Sequence, residues 1–190
     1  MNRSQRVSLI ALFTALAVVL NFAAAIPAPF AAFLSYEIWE VPILVSVILM
    51  GFWSGVTVAG LNTLILEFHP GPLPTGPVYN LVAELSMIIG VMAAQRIGRG
   101  ANWKPVYTWV TATIGGAALR TLVMTLVNAA VLPQPYPVGF SLPVSLVPSY
   151  LVLIGVFNFT LTLYTVPLAY SVARAIVSRY RPFFARDVSL

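Results

Sequence analysis

The chain has 190 residues, of which 59% are hydrophobic and only 8% are charged. Soluble domains carry about 25% charged residues, so this composition excludes a soluble enzyme or binding module and indicates an integral membrane protein. The formal net charge of +5 does not indicate nucleic acid, because the basic residues are scattered at segment ends and form no patch with interleaved aromatics. We expect one membrane-embedded domain over residues 1–190.

The chain contains six apolar segments, each bounded by Pro, Gly or charged residues where a helix can leave the bilayer. They cover residues 8–26, 38–50, 52–68, 77–95, 105–132 and 144–177. This pattern predicts an all-α bundle of six transmembrane helices. The second and third segments meet at Gly51, which predicts a tight hairpin that does not cross at full thickness. We interpret the first segment as a retained helix, although Ala23-Ala24-Ala25 also resembles a signal-peptide cleavage site.

The basic residues indicate the orientation of these segments, since Lys and Arg are costly to move outward. Nine of the ten lie at one face of the predicted bundle. They are Arg3, Arg6, Arg96, Arg99, Lys104, Arg174, Arg179, Arg181 and Arg186. Both termini are therefore expected in the cytoplasm of a plasma-membrane protein. The connections at 27–37, 69–77 and 133–143 then lie outside, and none of them contains Lys or Arg.

Those outer connections are rich in proline, which fixes backbone dihedrals and gives stiff loops. Stiff loops of this kind suit a preformed cover over a binding site. Alternatively, the prolines simply end helices at the membrane interface, while Trp39, Tyr79 and Tyr136 form an aromatic belt.

Polar side chains inside or beside the apolar segments fall in the predicted outer half of the bundle. They are Asn21, Glu37, Glu40, Asn62, Glu67, Asn80, Glu84, Asn128 and Asn158. A one-sided set of amides and carboxylates favours a cavity that opens outward and binds a polar or amphipathic organic molecule. For each Asn alone, an interhelical hydrogen bond is the alternative. An acidic rim at Glu37 and Glu40 would disfavour anionic ligands.

Arg120 is the most conspicuous basic residue, because an arginine inside the fifth apolar segment must be paired or hydrated. Its expected partner is Glu84, with Glu67 second. Two roles stay open: a structural ion pair that holds helices together, or a contact that orients substrate. Loss of function with retained folding in an Arg120→Leu variant would favour the second role.

The sequence offers no convincing catalytic, metal or nucleotide-hydrolysing motif. There is no cysteine, the one histidine is His69, and Ser54-Gly55 has no histidine placed to activate it. The chain lacks a GxxxxGK[ST] loop, so ATP-driven transport would need partner proteins. We expect no enzyme, no catalytic residue, no metal and no cofactor. An intramembrane enzyme, a secondary carrier and a helix scaffold are the alternatives.

Several segments resemble the substrate-binding S components of energy-coupling factor (ECF) transporters, in particular the riboflavin-binding members. Helix 1 carries an AxxxA pattern at Ala11 and Ala15. The passage YEIWEVPILVSVILMGFWSGVTVAGLNTLI places acids before a proline and then Gly-rich helical turns. The segments RTLVMTLVNAAVLP, residues 120–133, and VFNFTL, around Asn158, are similar to the family's helices 5 and 6. The resemblance covers nearly the whole chain.

This resemblance implies a subunit that captures a vitamin outside the cell, with riboflavin as the first choice and another vitamin as the alternative. It implies two kinds of partner, a transmembrane coupling subunit that Ala11 and Ala15 face and two cytoplasmic ATPases. It also implies that the S component topples in the membrane to carry its ligand inward. The matched ligand contacts are Asn128 and Asn158, to which we add Tyr36, Glu37, Asn80, Glu84 and Arg120 as candidates. Riboflavin-binding members commonly carry a lysine three residues after the helix 6 Asn. This chain has Leu161 there, so one polar contact is missing.

Overall fold

The computed structural model describes residues 1–23, 25–69, 73–101 and 103–180, without the side chains of residues 32 and 33. Its elements in chain order are α1 (Arg3–Asn21), β1 (Ile26–Ala28), β2 (Ala31–Tyr36), α2 (Glu40–Met50), α3 (Phe52–Leu66), α4 (Gly76–Gly100), α5 (Pro105–Val131) and α6 (Val147–Arg179). Some residues on which sequence predictions rest lie outside this description: Ala24, Arg181, Arg186 and residues 70–72.

The six predicted helices are present, with ends that differ from the expected ones by up to five residues. Differences of five residues occur at both ends of α1, which begins at Arg3 and ends at Asn21, and at the end of α4. The early start has a local cause, because the side chains of Asn2 and Gln5 form a capping box around the first turn.

The connection between α1 and α2 contains a β-hairpin, which the sequence analysis did not predict. Strands β1 and β2 are antiparallel, with Ile26 opposite Tyr36 and Ala28 opposite Ala31. The sequence analysis predicted a stiff proline-rich loop in this segment, and proline is tolerated on edge strands. A two-stranded hairpin consists of edge strands alone, so the prolines are compatible with it. Residues 26–36 are termed the outer hairpin below, because they lie at the end of the bundle that the sequence predicts to be outside.

Helix α2 is the centre of the bundle. Its residues from Glu40 to Leu49 are all buried, and it packs against α1, α3 and α6. A helix that is apolar on every side must be enclosed, and here the enclosing surface is protein. With 11 residues, α2 is about 16 Å long, well short of a hydrocarbon core of about 30 Å.

The tight hairpin expected between α2 and α3 is confirmed. Helix α2 ends at Met50, α3 begins at Phe52, and Gly51 between them has a φ of 89°. Glycine adopts such a positive φ at little cost, because it has no Cβ atom. Among the described helices, α1, α4, α5 and α6 are long and apolar enough to cross a membrane, whereas α2 and α3 are shorter.

Helices α4 and α5 pack at backbone contact. A Cβ atom added to Gly90 would lie 2.3 Å from the carbonyl oxygen of Gly115 and 2.9 Å from the Cα atom of Gly116. Small residues allow two helix backbones to approach this closely. Helix α6 packs against both α5 and α2. With 33 residues, or about 50 Å, it is longer than a bilayer core, as expected.

Candidate functional site

A bidentate ion pair lies inside the helix bundle. The Glu40 carboxylate accepts hydrogen bonds from Nη1 of Arg120 at 2.6 Å and from Nη2 at 2.7 Å. Only 2% of Glu40 and 4% of Arg120 are exposed. Both charges are thus removed from water, and two parallel hydrogen bonds are the strong geometry for such a pair. The pair joins α2 to α5.

Asn158 connects a third helix, α6, to this pair. Its Oδ1 accepts a 2.9 Å hydrogen bond from Nε of Arg120, while its Nδ2 donates to the Ile154 carbonyl one turn earlier. These two bonds determine which end of the amide faces the guanidinium. Glu40, Arg120 and Asn158 are termed the charge cluster below. Within it, Arg120 uses three of its five N–H donors.

The sequence-based choice of a partner for Arg120 is wrong, because its ion pair is with Glu40 and not with Glu84 or Glu67. Glu40 is the first residue of α2, and that position suggested an exposed acidic rim. Since α2 is the central helix, however, its first turn already lies inside the protein. The rim prediction for Glu40 is therefore also wrong. Glu67 follows the last turn of α3 and is exposed.

Glu84 is buried beside the charge cluster without a hydrogen-bond partner. It is 1% exposed, and neither of its carboxylate oxygens is bonded by any of the described residues. It interacts electrostatically with both Glu40 and Arg120. Met87, one helical turn further along α4, places its Sδ 3.8 Å from Nη1 of Arg120. Buried polar groups normally have partners, so the two unbonded Glu84 oxygens are an exception that calls for an explanation.

Two further buried amide atoms have no partner within the described parts of the chain. They are Oδ1 of Asn62, in α3, and Nδ2 of Asn21, the last residue of α1. Together with Glu84, they place unpaired hydrogen-bonding atoms on three helices, each in the half of the bundle that the sequence predicted to be polar.

Asn128 and Asn80 lie in different surroundings from Asn158. Asn128 is half-buried, and its Nδ2 donates to the Met124 carbonyl in its own helix at 2.8 Å. It lies eight residues beyond Arg120 on α5, a rise of about 12 Å. Asn80 is exposed on α4. The structure therefore brings Asn158 and Arg120 together, and places Asn128 nearer to the end of the bundle.

The outer hairpin is attached to α6 next to the charge cluster. The hydroxyl oxygen of Tyr36 lies 2.6 Å from Oγ1 of Thr160. The Tyr36 ring centroid lies 5.1 Å from that of Phe157 and 6.0 Å from that of Tyr164. These distances are typical of packed aromatic pairs. An aromatic surface thus lies between the outer hairpin and the part of α6 that carries Asn158.

Glu37 follows the outer hairpin and lies outside the helices. Its backbone carbonyl accepts a 2.6 Å hydrogen bond from the Tyr164 hydroxyl. Burial raises the pKa of its carboxyl group, a hydrogen bond from Trp39 lowers it, and the nearby Glu40 carboxylate raises it further. The net shift is upward, so Glu37 holds a proton more readily than an exposed glutamate does.

Leu161 is the residue at which the sequence analysis found one polar contact to the ligand missing. It is 4% exposed and packs with Ala28 of the outer hairpin and with Phe157. In this chain, therefore, an apolar contact between α6 and the outer hairpin stands where riboflavin-binding members commonly carry a lysine.

Helix α1 presents Ala11 and Ala15 at the surface of the bundle. Both are exposed, whereas Ala17 on another face of the helix is buried. Near the start of α1, the Arg6 guanidinium donates to Oγ of Ser54 at 3.0 and 2.8 Å. These bonds hold α1 to the first turn of α3.

Sequence reasoning missed three residues of this site, namely Glu40 as the ion-pair partner and the rings of Phe157 and Tyr164. A signal for Glu40 existed, since it is one of the acids before the proline in the passage that resembles the S components. Phe157 and Tyr164 stand in an apolar run, where an aromatic residue facing lipid gives the same pattern. The described residues contain no group of three or more His, Cys, Asp or Glu side chains that could hold a metal ion.

These features define a helical, multi-pass membrane protein with a buried polar site next to an aromatic hairpin. A family profile described as "ECF transporter, substrate-specific component" matches residues 5–177, so the chain belongs to this family of S components. S components are substrate-binding subunits of transporters and not enzymes, and the family indicates no cofactor.

A solved structure of the S component of a bacterial ECF transporter shares this fold, with a TM-score of 0.66 and 23% sequence identity. The alignment covers 97% of this chain and 100% of the solved one. No curated protein sequence shows a significant match. The family that the sequence motifs suggested is thus confirmed, together with its fold.

Proposed function

We propose that this chain is the riboflavin-capturing S component of an ECF importer in the plasma membrane. The observation that carries the proposal is the polar site formed by the charge cluster and the unpartnered Glu84. A few fixed polar groups in an otherwise apolar enclosure are the usual composition of a small-molecule site. Membership of the S-component family supports the role in transport.

Riboflavin suits these groups because it combines a flat aromatic ring system with a neutral polyhydroxyl chain. The rings of Tyr36, Phe157 and Tyr164 offer surfaces for stacking. The oxygens of Glu84 and Asn158 can accept hydrogen bonds from hydroxyl groups. Leu161 supplies no polar contact, so in this proposal the other residues supply the affinity.

The remaining candidate contacts are Arg120, Glu37, Asn128 and Asn80. Arg120 holds the charge cluster together and has two N–H donors that neither Glu40 nor Asn158 uses. Asn128 and Asn80 lie nearer to the outer end, where a ligand would pass or where its far end would rest.

We also propose six membrane crossings, with both termini in the cytoplasm and residues 1–190 forming one substrate-binding domain. The short helices α2 and α3 cross as a pair enclosed by the four longer ones. The charge distribution supports this topology, because the basic residues at helix ends lie at one end of the bundle while Glu37 and Glu67 lie at the other.

The partners in this proposal are a transmembrane coupling subunit and two cytoplasmic ATPases. The exposed positions of Ala11 and Ala15 support contact with the coupling subunit. Two alanines four residues apart leave a shallow surface, which a second helix can approach closely.

The proposal is tested on the protein purified in detergent. Its absorption spectrum reports co-purified flavin, and titration with riboflavin is followed by quenching of flavin fluorescence. We expect saturable quenching in the native protein. Asn158→Ala should weaken binding about tenfold, the effect of losing one hydrogen bond in a charged site. Ser171→Ala is the matched control, because Ser171 is exposed on the same helix and bonds to the Pro167 carbonyl within it.

Other outcomes separate the alternatives. A folded protein that ignores riboflavin but is stabilised by thiamine, biotin or another vitamin would keep the S-component role and change the substrate. A folded protein that binds none of them would favour a scaffold in which the polar residues only hold helices together.

A further inference from the structure

A second cluster of polar and aromatic residues lies at the opposite end of the bundle from the outer hairpin. Tyr170, on α6, is 1% exposed, and its hydroxyl accepts a hydrogen bond from Nε2 of Gln95, on α4. The Tyr170 ring centroid lies 5.3 Å from that of Trp109, on α5. Three helices thus meet at one aromatic stack, in which Tyr170 is buried and Trp109 is partly buried.

Two arginines flank this stack. The guanidinium carbon of Arg174 lies 5.7 Å from the centroid of the Trp109 ring, a cation–π arrangement that orients the group. Arg99 is one turn beyond Gln95 on α4 and acts electrostatically on the Tyr170 hydroxyl. Both arginines are exposed. Their planar N–H groups are therefore free to meet an anion at the surface.

No acidic side chain among the described residues neutralises these arginines. The described carboxylates are Glu37, Glu40, Glu67 and Glu84, which lie near the outer hairpin, after α3 and in the charge-cluster region. Lys104, which begins α5, adds a further exposed cation at the same end. Cations at one end of the bundle without acidic partners create a local positive potential that favours an anionic partner.

An apolar stripe begins beside these cations. Val106, Val110 and Ile114 recur every four residues along α5 and are 66%, 51% and 56% exposed. The ring of Tyr107 is also exposed at 59%, at the level where aromatic side chains commonly meet lipid headgroups. A ligand with an anionic head and a long apolar tail would match both the arginines and the stripe, whereas a free anion would match the arginines alone.

We infer that Arg99 and Arg174 bind the phosphodiester headgroup of an anionic phospholipid, whose acyl chain lies along the exposed stripe of α5. The site is independent of the transported substrate. Basic pockets between transmembrane helices are a known way to bind such headgroups. Bound lipid would hold the ends of α4, α5 and α6 together at the aromatic stack.

The inference is tested by native mass spectrometry of the protein purified in mild detergent, after addition of phosphatidylglycerol or phosphatidylcholine with the same acyl chains. The native protein should retain phosphatidylglycerol preferentially. Cations near an anionic surface contribute about fivefold each in affinity, so Arg99→Gln with Arg174→Gln should lower retention about 25-fold. The matched control is Arg3→Gln with Arg179→Gln, which removes the same charge from exposed positions at the same end and should leave retention unchanged.

Three results would overturn the inference. One is equal retention of the two lipids by the native protein. Another is an equal loss in the control variant, which would show a general surface field instead of a site. The third is full competition by millimolar inorganic phosphate, which would identify a free anion as the ligand. If the double variant folds poorly, the single change Arg99→Gln is tested in its place, because it removes no contact with an aromatic ring. Retention of phosphatidylglycerol should then fall about fivefold.

Discussion

Replacing Arg120 by leucine tests the ion pair that joins α2 to α5. The change leaves the Glu40 carboxylate buried without its cation and leaves Oδ1 of Asn158 without its donor. Removing one partner of a buried pair costs about 3–5 kcal/mol. For a chain of 190 residues, we therefore expect Tm to fall by roughly 6–20 °C, at about 2–4 °C per kcal/mol.

The second partner can be removed as well, and that change should restore part of the lost stability. In Glu40→Leu with Arg120→Leu, the Glu40 charge is removed together with its partner. Glu84 loses both of its charged neighbours, and the Asn158 oxygen lacks its donor. The missing donor costs about 1–3 kcal/mol. Thermal unfolding is followed by tryptophan fluorescence, because the chain has four tryptophans and no cysteine for a thiol-reactive dye.

Two results would refute this reasoning. A fall in Tm of less than about 2 °C in the single variant would show that the pair contributes little to stability. Additive losses in the double variant would show that the two residues do not act as a pair. A double variant that folds but no longer quenches riboflavin fluorescence would show that the Glu40–Arg120 pair contributes to ligand binding as well as to stability.

Three other changes test separate parts of the structure. Gly90→Ala places a Cβ atom 2.3 Å from the Gly115 carbonyl oxygen and should lower the free energy of unfolding by about 1–3 kcal/mol. Gly60→Ala is the control, because its Cβ atom meets no atom within 4 Å and should not destabilise the protein. Equal Tm values for the two variants would contradict the close α4–α5 contact. Tyr164→Phe removes the hydrogen bond to the Glu37 carbonyl, so the rate of amide exchange in the outer hairpin should rise about fivefold. An unchanged rate would argue against attachment of the hairpin to α6 through this bond. Because burial raises the pKa of the Glu37 carboxyl, the folded protein holds this proton more tightly than the unfolded chain does. Stability should therefore fall as pH rises from the unfolded-state pKa of about 4.3 through the raised pKa of the folded state. Glu37→Gln should flatten that fall in a series of Tm measurements, and identical pH dependence in both proteins would contradict the shift.

The sequence alone was sufficient to predict the class of protein, the number and approximate limits of the helices, and the family. These conclusions depend on local properties: the length of each apolar run, the breaks at proline and glycine, and motifs such as the alanine pair in α1. The turn at Gly51 is an example, since a glycine between two apolar runs predicts a sharp reversal whatever surrounds it. The importance of Arg120 was also evident, because a cation in an apolar run needs a partner in any fold.

The identity of that partner was decided by tertiary structure. In a soluble helix, polar residues mark the side that faces water, so the inward side can be found from the sequence. In a membrane helix the sides facing lipid and protein are both apolar, and this signal disappears. Phe157 is 9% exposed and Phe159 is 43% exposed, although the two belong to the same apolar run. Only the packing of α2 at the centre of the bundle brings Glu40, and not Glu84, into contact with the Arg120 guanidinium.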